Sequence, residues 1–265
     1  MSKSNKVMEY GKERIFYSSN TGMILNNNIG YIYPLLKNGN SKVGKSVYTF
    51  SILPGMAEYS FAIDNGITKK ELCTKGTCNV NCKGCYAQRG FFNMPNVKNT
   101  IAITTWLCQN DLDFVKRAIQ AQIKADNIDT IRIHATGDFF STEYITMWYE
   151  IAKENSAVKF WTYTKNPIAE NAFNDLDNIN IVKSIIPGIG FNFGHIGYII
   201  DAYNELKSKG IKVHICKCGI DKNQHCTNCR GCIDNTYVLF IEHSTEYKAD
   251  KDPLYNNIVD LINNQ

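Results

Sequence analysis

Nine of the ten cysteines fall into two groups: Cys73, Cys78, Cys82 and Cys85, then Cys216, Cys218, Cys226, Cys229 and Cys232. Cys108, within "TTWLCQN", stands alone and reads as a small buried hydrophobe. The first group ends in C-x3-C-x2-C and the second contains C-x2-C-x2-C. Thiols so spaced form disulfides, hold zinc or cradle an iron–sulfur cluster. The opening "MSKSNKVMEYGKERIFYSS" carries charge and lacks the apolar core of a secretory leader, and no run reaches the roughly 20 apolar residues of a membrane helix. The expected location is cytoplasmic, where stable disulfides are rare and clustered cysteines hold metal or do catalysis.

In the second group, Cys226, Cys229 and Cys232 bring three thiolates to one face of a tight loop, and a more distant cysteine completes the set. Ferredoxins use a comparable run for [4Fe–4S] clusters, whereas zinc sites more often use two C-x2-C pairs across a spacer. The run therefore fits a cubane better than a zinc knuckle, with Zn2+ as the alternative. Cys216 is favoured over Cys218 as the fourth ligand because it ends a predicted strand and so has a fixed position. In the first group, Cys78, Cys82 and Cys85 can hold three irons of a cube and leave the fourth open. Cys73 is the candidate that would close it.

Three further residues are candidates for catalysis. His134 alternates with Ile131 and Ile133 and could donate a proton, although a hydrogen-bonded structural histidine reads equally well. Asp138 follows Gly137 at a strand exit, where it either binds a ligand or caps local N–H groups. Lys165, at the next strand exit, suits a carboxylate or phosphate, but a solvated surface lysine is the commoner case. Trp161 and Tyr163 read as packing, and His243 ends the last predicted strand.

These residues need a frame, and the chain predicts one. Residues 1–46 are rich in Asn, Gly, Ser and Lys and read as an irregular arm or cap. Residues 47–265 read as one α/β domain that includes the cysteine-rich segment 216–232. Strands are expected at 58–64, 130–135, 157–164, 180–186, 211–215 and 236–242. Helices are expected from Asn110 as N-cap, from Ser141 as N-cap, after Asn166, and over "GYIIDAYNELKSKG". The final helix is expected to have Asp252 as N-cap and Leu254, Ile258 and Leu261 facing inward. Six strands with helical crossovers suit a partial (β/α)6 TIM-like barrel with its cysteine loops at the C-terminal ends of the strands; a doubly wound open sheet is the alternative.

The bulk numbers agree with a globular domain: 265 residues, 44% hydrophobic and 20% charged. A net charge of +4 without a basic block does not signal nucleic acid.

The C-x3-C-x2-C spacing resembles the radical S-adenosylmethionine enzymes, as does its place after the first predicted strand. That resemblance implies a [4Fe–4S] cluster at Cys78, Cys82 and Cys85 that binds S-adenosyl-L-methionine, with Tyr86, Gly137 and Asp138 as cofactor-binding residues. Gly84 stands where that superfamily has an aromatic residue. The blocks "CKGCYAQRG", "IRIHATGDFFSTEYITMWYEIA", "FWTYTKN" and "HICKCG…HCTNCRGCID…VLFIEHS" resemble, in order and over residues 47–245, the phage-encoded gene product eighty-eight family. This implies a phage or prophage origin and names no substrate. The expected function is thus an iron–sulfur enzyme that cleaves S-adenosylmethionine reductively, with Cys216, Cys226, Cys229 and Cys232 holding an auxiliary cluster and an electron-donor protein as partner. The alternatives are a non-catalytic metal-binding phage protein that engages a host protein or nucleic acid, and an iron–sulfur redox or sulfur-transfer protein.

Overall fold

The computed structural model describes residues 6–10, 13–18, 23–39, 43–64, 69–79, 85–88, 90–221, 223–224, 226–242 and 247–265. Strands β1 (Lys6–Tyr10), β2 (Glu13–Ser18), β3 (Met23–Asn26) and β4 (Gly30–Ile32) form an antiparallel meander. The arm is therefore more regular than its composition suggests, because its asparagines build turns. The Asn26 side chain accepts from the N–H groups of Asn28 (2.9 Å) and Ile29 (3.1 Å), an Asx turn that reverses β3 into β4. Ile24, Ile29, Ile32, Leu35 and Leu36 are buried in the main core, and Gln122 accepts from the N–H of Leu35 at 2.9 Å and of Leu36 at 3.1 Å.

A five-stranded sheet follows, with β5 (Lys37–Asn38) antiparallel at one edge. Next to it run the parallel strands β6 (Tyr48–Thr49), β9 (Thr130–Arg132), β10 (Lys159–Thr164) and β11 (Ile179–Lys183). Backbone bonds from Phe50 and Ile52 to Arg132 and Thr136 prolong the β6 ladder, so the first parallel strand runs through "VYTFSIL". The predicted strand at 58–64 exists as β7 (Glu58–Asp64), but it pairs antiparallel with β8 (Lys69–Lys75) as a hairpin outside that sheet.

Helix α1 (Pro95–Asn110) lies where no helix was predicted. Thr100, Thr104 and Thr105 return their hydroxyls to the carbonyl four residues back, at 2.9, 3.1 and 2.7 Å. Back-bonding of this kind satisfies threonine within a helix. Asn110 ends α1 instead of capping α2 (Leu112–Ala125), which buries Val115, Ile119 and Ile123 as their spacing predicts. Ser141 caps α3 (Thr142–Glu154) by accepting from Tyr144 N (3.2 Å), and Asn166 caps α4 (Pro167–Ala172) by accepting from Ile168 N (2.9 Å).

Beyond β11, β12 (Ile185–Ile186) pairs antiparallel with β13 (Gly190–Phe191). A three-stranded parallel sheet places β16 (Tyr237–Ile241) between β14 (Phe193–Gly194) and β15 (Val213–Ile215). Helices α5 (Ile196–Ser208) and α8 (Tyr255–Asn263) cover it in a second core. α8 starts after Leu254, which is exposed, and buries Ile258 and Ile262 where Leu254, Ile258 and Leu261 were predicted. Lys183 N donates to Thr236 O (3.1 Å), which joins the two sheets just before β16. Among the described residues the strands close no barrel.

The alternation along β9, β10 and β11 gives the larger sheet two different faces. Ile131, Phe160, Ile179 and Ile181 pack under the helices in the main core. Arg132, Trp161, Tyr163 and Asn180 point the other way, and what they meet there is the second cysteine loop.

Candidate metal centre

Cys216 leaves β15 with its N–H bonded to Leu239 O (2.8 Å), which fixes the start of the loop. A 3-10 turn, Lys217–Gly219, reverses the chain, and two short helices follow, α6 (Cys226–Cys229) and α7 (Gly231–Asp234). Arg230 between them is left-handed at φ +51° and breaks the helix there. Asn180 of β11 pins α7 to the sheet by donating to Cys232 O (2.7 Å) and Asn235 O (2.9 Å). Ile233 packs with Val43, Val47 and Trp161. A Cβ on Gly231 would run into the His214 ring, so this close approach requires glycine.

The thiols of Cys216, Cys218, Cys226, Cys229 and Cys232 line one cavity of about 10 Å³ together with Trp161 and His214. Tyr163 OH donates to Cys232 Sγ (3.0 Å), and the Arg132 guanidinium lies 5.0 Å from the centre of the Tyr163 ring. Cys229 Sγ is 3.4 Å from His214 Nε2, and Cys218 Sγ is 3.4 Å from Gln224 O. Burial pushes the Cys232 thiol up to about 11, against the pull of Tyr163 and Arg132. Contact with Cys218, then burial, raises Cys216 and Cys226. Such crowding opposes thiolates until a cation sits among them, when the same convergence becomes a ligand set. Among the described residues no three Cys, His, Asp or Glu side chains stand within reach of one metal ion.

The first group sits elsewhere, at the strand exits. Gly55 N donates to Cys78 Sγ (3.2 Å). Burial, chiefly, raises the Cys78 thiol to about 11, and Asp138, Lys165 and Cys85 are close enough to modulate it. Cys82 lies outside the described residues, as does the side chain of Tyr86. Cys73 is opposite Ser60 in the β7–β8 hairpin. Its neighbour Thr74 is buried and donates to Gln109 of α1 (2.8 Å), so by alternation Cys73 takes the exposed face of the hairpin.

Asp138 is a buried junction between strands. Its carboxylate accepts from Phe139 N (2.8 Å), Thr164 Oγ1 (2.6 Å) and Lys165 N (2.9 Å). Burial raises its pKa, and those three bonds and the Lys165 charge oppose the rise. Gly137 has φ +87°, and a Cβ there would meet Ile52 O and Thr77 Oγ1, each at 2.8 Å, so its glycine serves close packing. Thr77, which went unnoticed in the sequence, donates to Leu53 O (2.8 Å) and accepts from Asp138 N (3.1 Å), tying this junction to the residue before Cys78.

His134 does not face the loop. The strand ends at Arg132, and a left-handed turn at His134 (φ +59°) carries its ring to the helix side. There Nε2 meets Tyr144 OH (2.9 Å), Nδ1 lies 3.4 Å from Thr162 Oγ1, and Phe139 stands edge-on at 4.6 Å. Burial, then Arg132, lowers its pKa to about 3, so it stays neutral as a structural histidine. The unfolded chain takes up this proton near pH 6.5 and the folded one only near pH 3, so folding loses stability as pH falls through that window. The expected loss is about 3 kcal/mol between pH 7 and pH 4. Urea unfolding should show that slope in the wild type and a shallower one in His134→Gln.

Arg132 and His214 also went unnoticed, and Tyr163, expected only to pack, bonds Cys232 Sγ as well. A cation alternating with Ile131 and Ile133 was the available signal for Arg132, because a strand buried on both faces places an arginine only where something anionic or aromatic receives it.

No helix among the described residues is long and apolar enough to cross a membrane. No solved structure matches the chain. The Gene 88 protein of Mycobacterium phage L5 is 33% identical over 84 residues, 31% of this chain and 31% of that protein. The Gene 88 protein of Mycobacterium phage D29 is 30% identical over 118 residues, 40% of this chain and 46% of that protein. The chain thus spans less than half the length of these curated relatives. The family described as Gene product 88 matches residues 34–186, which take in the first cysteine group and the Asp138 junction and stop short of Cys216. That match covers more than half of the chain, which belongs to the Gene product 88 family.

Proposed function

We propose that this chain is an iron–sulfur protein with two thiolate centres on a partial (β/α)6 TIM-like frame, phage- or prophage-encoded and working in the host cytoplasm. The observation that carries the reading is the convergence of five thiols on one cavity against Trp161, Tyr163 and Arg132. A four-coordinate zinc draws its thiolates to about 2.3 Å from a single point. The C-x2-C-x2-C run with a further upstream cysteine has the pattern of a cubane's ligands instead. Such a cluster supplies one-electron transfer. The chain's own residues hold it dry: Trp161, Ile233, Val43 and Val47 exclude water, Tyr163 bonds a ligand sulfur, and Arg132 offsets negative charge.

The second centre proposed is Cys78, Cys82 and Cys85, a three-thiolate site with the exposed Cys73 outside it. An open cluster supplies one-electron reduction of a bound sulfonium such as S-adenosyl-L-methionine. Lys165 would receive the cofactor's carboxylate, and Asp138, with three bonds already accepted, positions Lys165. The loop that carries α7 fills the sheet face a barrel interior would offer, so a substrate would enter from the strand-exit edge. The test is anaerobically reconstituted protein with S-adenosylmethionine and dithionite. The reading expects 5′-deoxyadenosine from the wild type and from Cys73→Ala alike, and none from Cys85→Ala. Intact cofactor in every sample would remove this centre's activity and leave the Cys216–Cys232 centre standing.

A further inference from the structure

We infer that the indole N–H of Trp161 is a hydrogen-bond donor to the group held among the cysteines of the sheet face, and that together with Tyr163 OH it raises the reduction potential of that centre. The inference rests on the iron–sulfur reading of that cavity and gives Trp161 a role beyond packing.

Trp161 is enclosed, at 1% exposure, and lines the cavity that the five cysteines share. Its Nε1 is buried and has no hydrogen-bond partner among the described residues. An indole N–H can only donate, and a buried donor left without an acceptor is rare in a folded protein. Val43, Val47 and Ile233, which pack with the ring, carry no side-chain acceptor. The acceptors that a loaded centre brings to this cavity are thiolate and sulfide sulfurs, whose negative charge strengthens a bond from N–H.

The same strand supplies a second donor. Alternation along β10 puts Trp161 and Tyr163 on one face, while Thr162 turns to His134 on the other. Tyr163 OH donates to Cys232 Sγ (3.0 Å). Arg132, the register partner of Trp161 on β9, holds its guanidinium 5.0 Å from the centre of the Tyr163 ring, and a cation there makes the phenol a better donor. Asn180, the register partner of Trp161 on β11, donates to Cys232 O (2.7 Å) and so anchors that cysteine to the sheet. Reduction adds a negative charge to the bound group, and burial in a dry site opposes it. Donors to its sulfurs stabilise the reduced form more than the oxidised one, so they raise the potential.

The test uses the full chain purified without oxygen in a Cys85→Ala background, so that the sheet-face centre is read by itself. Trp161→Phe keeps an aromatic ring in the packing and removes only the indole donor. It should retain the iron of its parent, and at a fixed potential its ratio of reduced to oxidised centre should fall about tenfold, a midpoint lower by about 59 mV for one electron. Tyr163→Phe should shift the midpoint in the same direction. A Trp161→Phe protein that keeps its iron with an unchanged or higher midpoint overturns the inference. Because this variant could misfold, a second measurement leaves Trp161 in place. Electron spin-echo spectra of the reduced parent, labelled with 15N in its indoles, should show one nitrogen coupled to the electron spin. Trp106 and Trp148 belong to the main core under the helices, so that nitrogen is assigned to Trp161. No coupled nitrogen overturns the inference. A parent without iron removes the iron–sulfur reading and this inference with it, whereas iron without the coupling or the shift removes the inference alone.

Discussion

Cys232→Ala is expected to lower the iron of anaerobically purified protein by about half, from about eight to about four per chain, with the first centre intact. Cys232 belongs to the ligand set its spacing suggests and lines the cavity that all five cysteines share. The loss should not come from unfolding. Asn180 holds the backbone carbonyl of Cys232, not its sulfur, and Ile233 keeps α7 packed on Val43, Val47 and Trp161. Without the thiol, Tyr163 OH loses its acceptor, which costs about 1 kcal/mol. Apo-protein unfolding should therefore agree with wild type to within about that amount, while iron analysis separates the two proteins clearly. Full iron in Cys232→Ala would mean that the loop holds no cluster.

Asp138→Ala is expected to be the most destabilising single change, by about 3–5 kcal/mol. It strands three buried donors, Phe139 N, Thr164 Oγ1 and Lys165 N, which join the exits of β9 and β10. Asp138→Asn keeps the shape and one acceptor oxygen, so it should recover part of the loss. Urea midpoints for the three proteins decide this. A cost below about 1 kcal/mol for the alanine variant would show that these exits are held by something other than the carboxylate. The same carboxylate orders Lys165, so any activity of the first centre should fall in both variants before folding fails.

How much of this could be read from the residues depended on whether neighbours in sequence were neighbours in force. The alternation of Phe160, Trp161, Thr162 and Tyr163 specified a strand buried on both faces, and the helical period of Val115, Ile119 and Ile123 specified α2, because both patterns reflect local geometry. α1 was illegible because its threonines satisfy themselves by bonds to carbonyls four residues back, which composition does not reveal. His134 was assigned by extending the period of β9 past Arg132, and the left-handed turn there moves the ring to the opposite face. The cysteine groups were visible as groups. Their internal geometry was not, since the face of Cys73 follows from a hairpin partner and the meeting of Cys216 and Cys218 with Cys226, Cys229 and Cys232 in one cavity from a fold-back of the loop. Arg132 and Tyr163 joined the site through strand alternation combined with where the loop lands, a long-range fact.

The central claim is that the thiols on the sheet face hold iron and sulfide. It is tested most directly by iron, sulfide and zinc analysis, with a visible spectrum, of wild-type protein purified without oxygen. A brown protein with about four iron and four sulfide per occupied centre and no stoichiometric zinc is the predicted result. A colourless protein carrying one zinc per chain would contradict it.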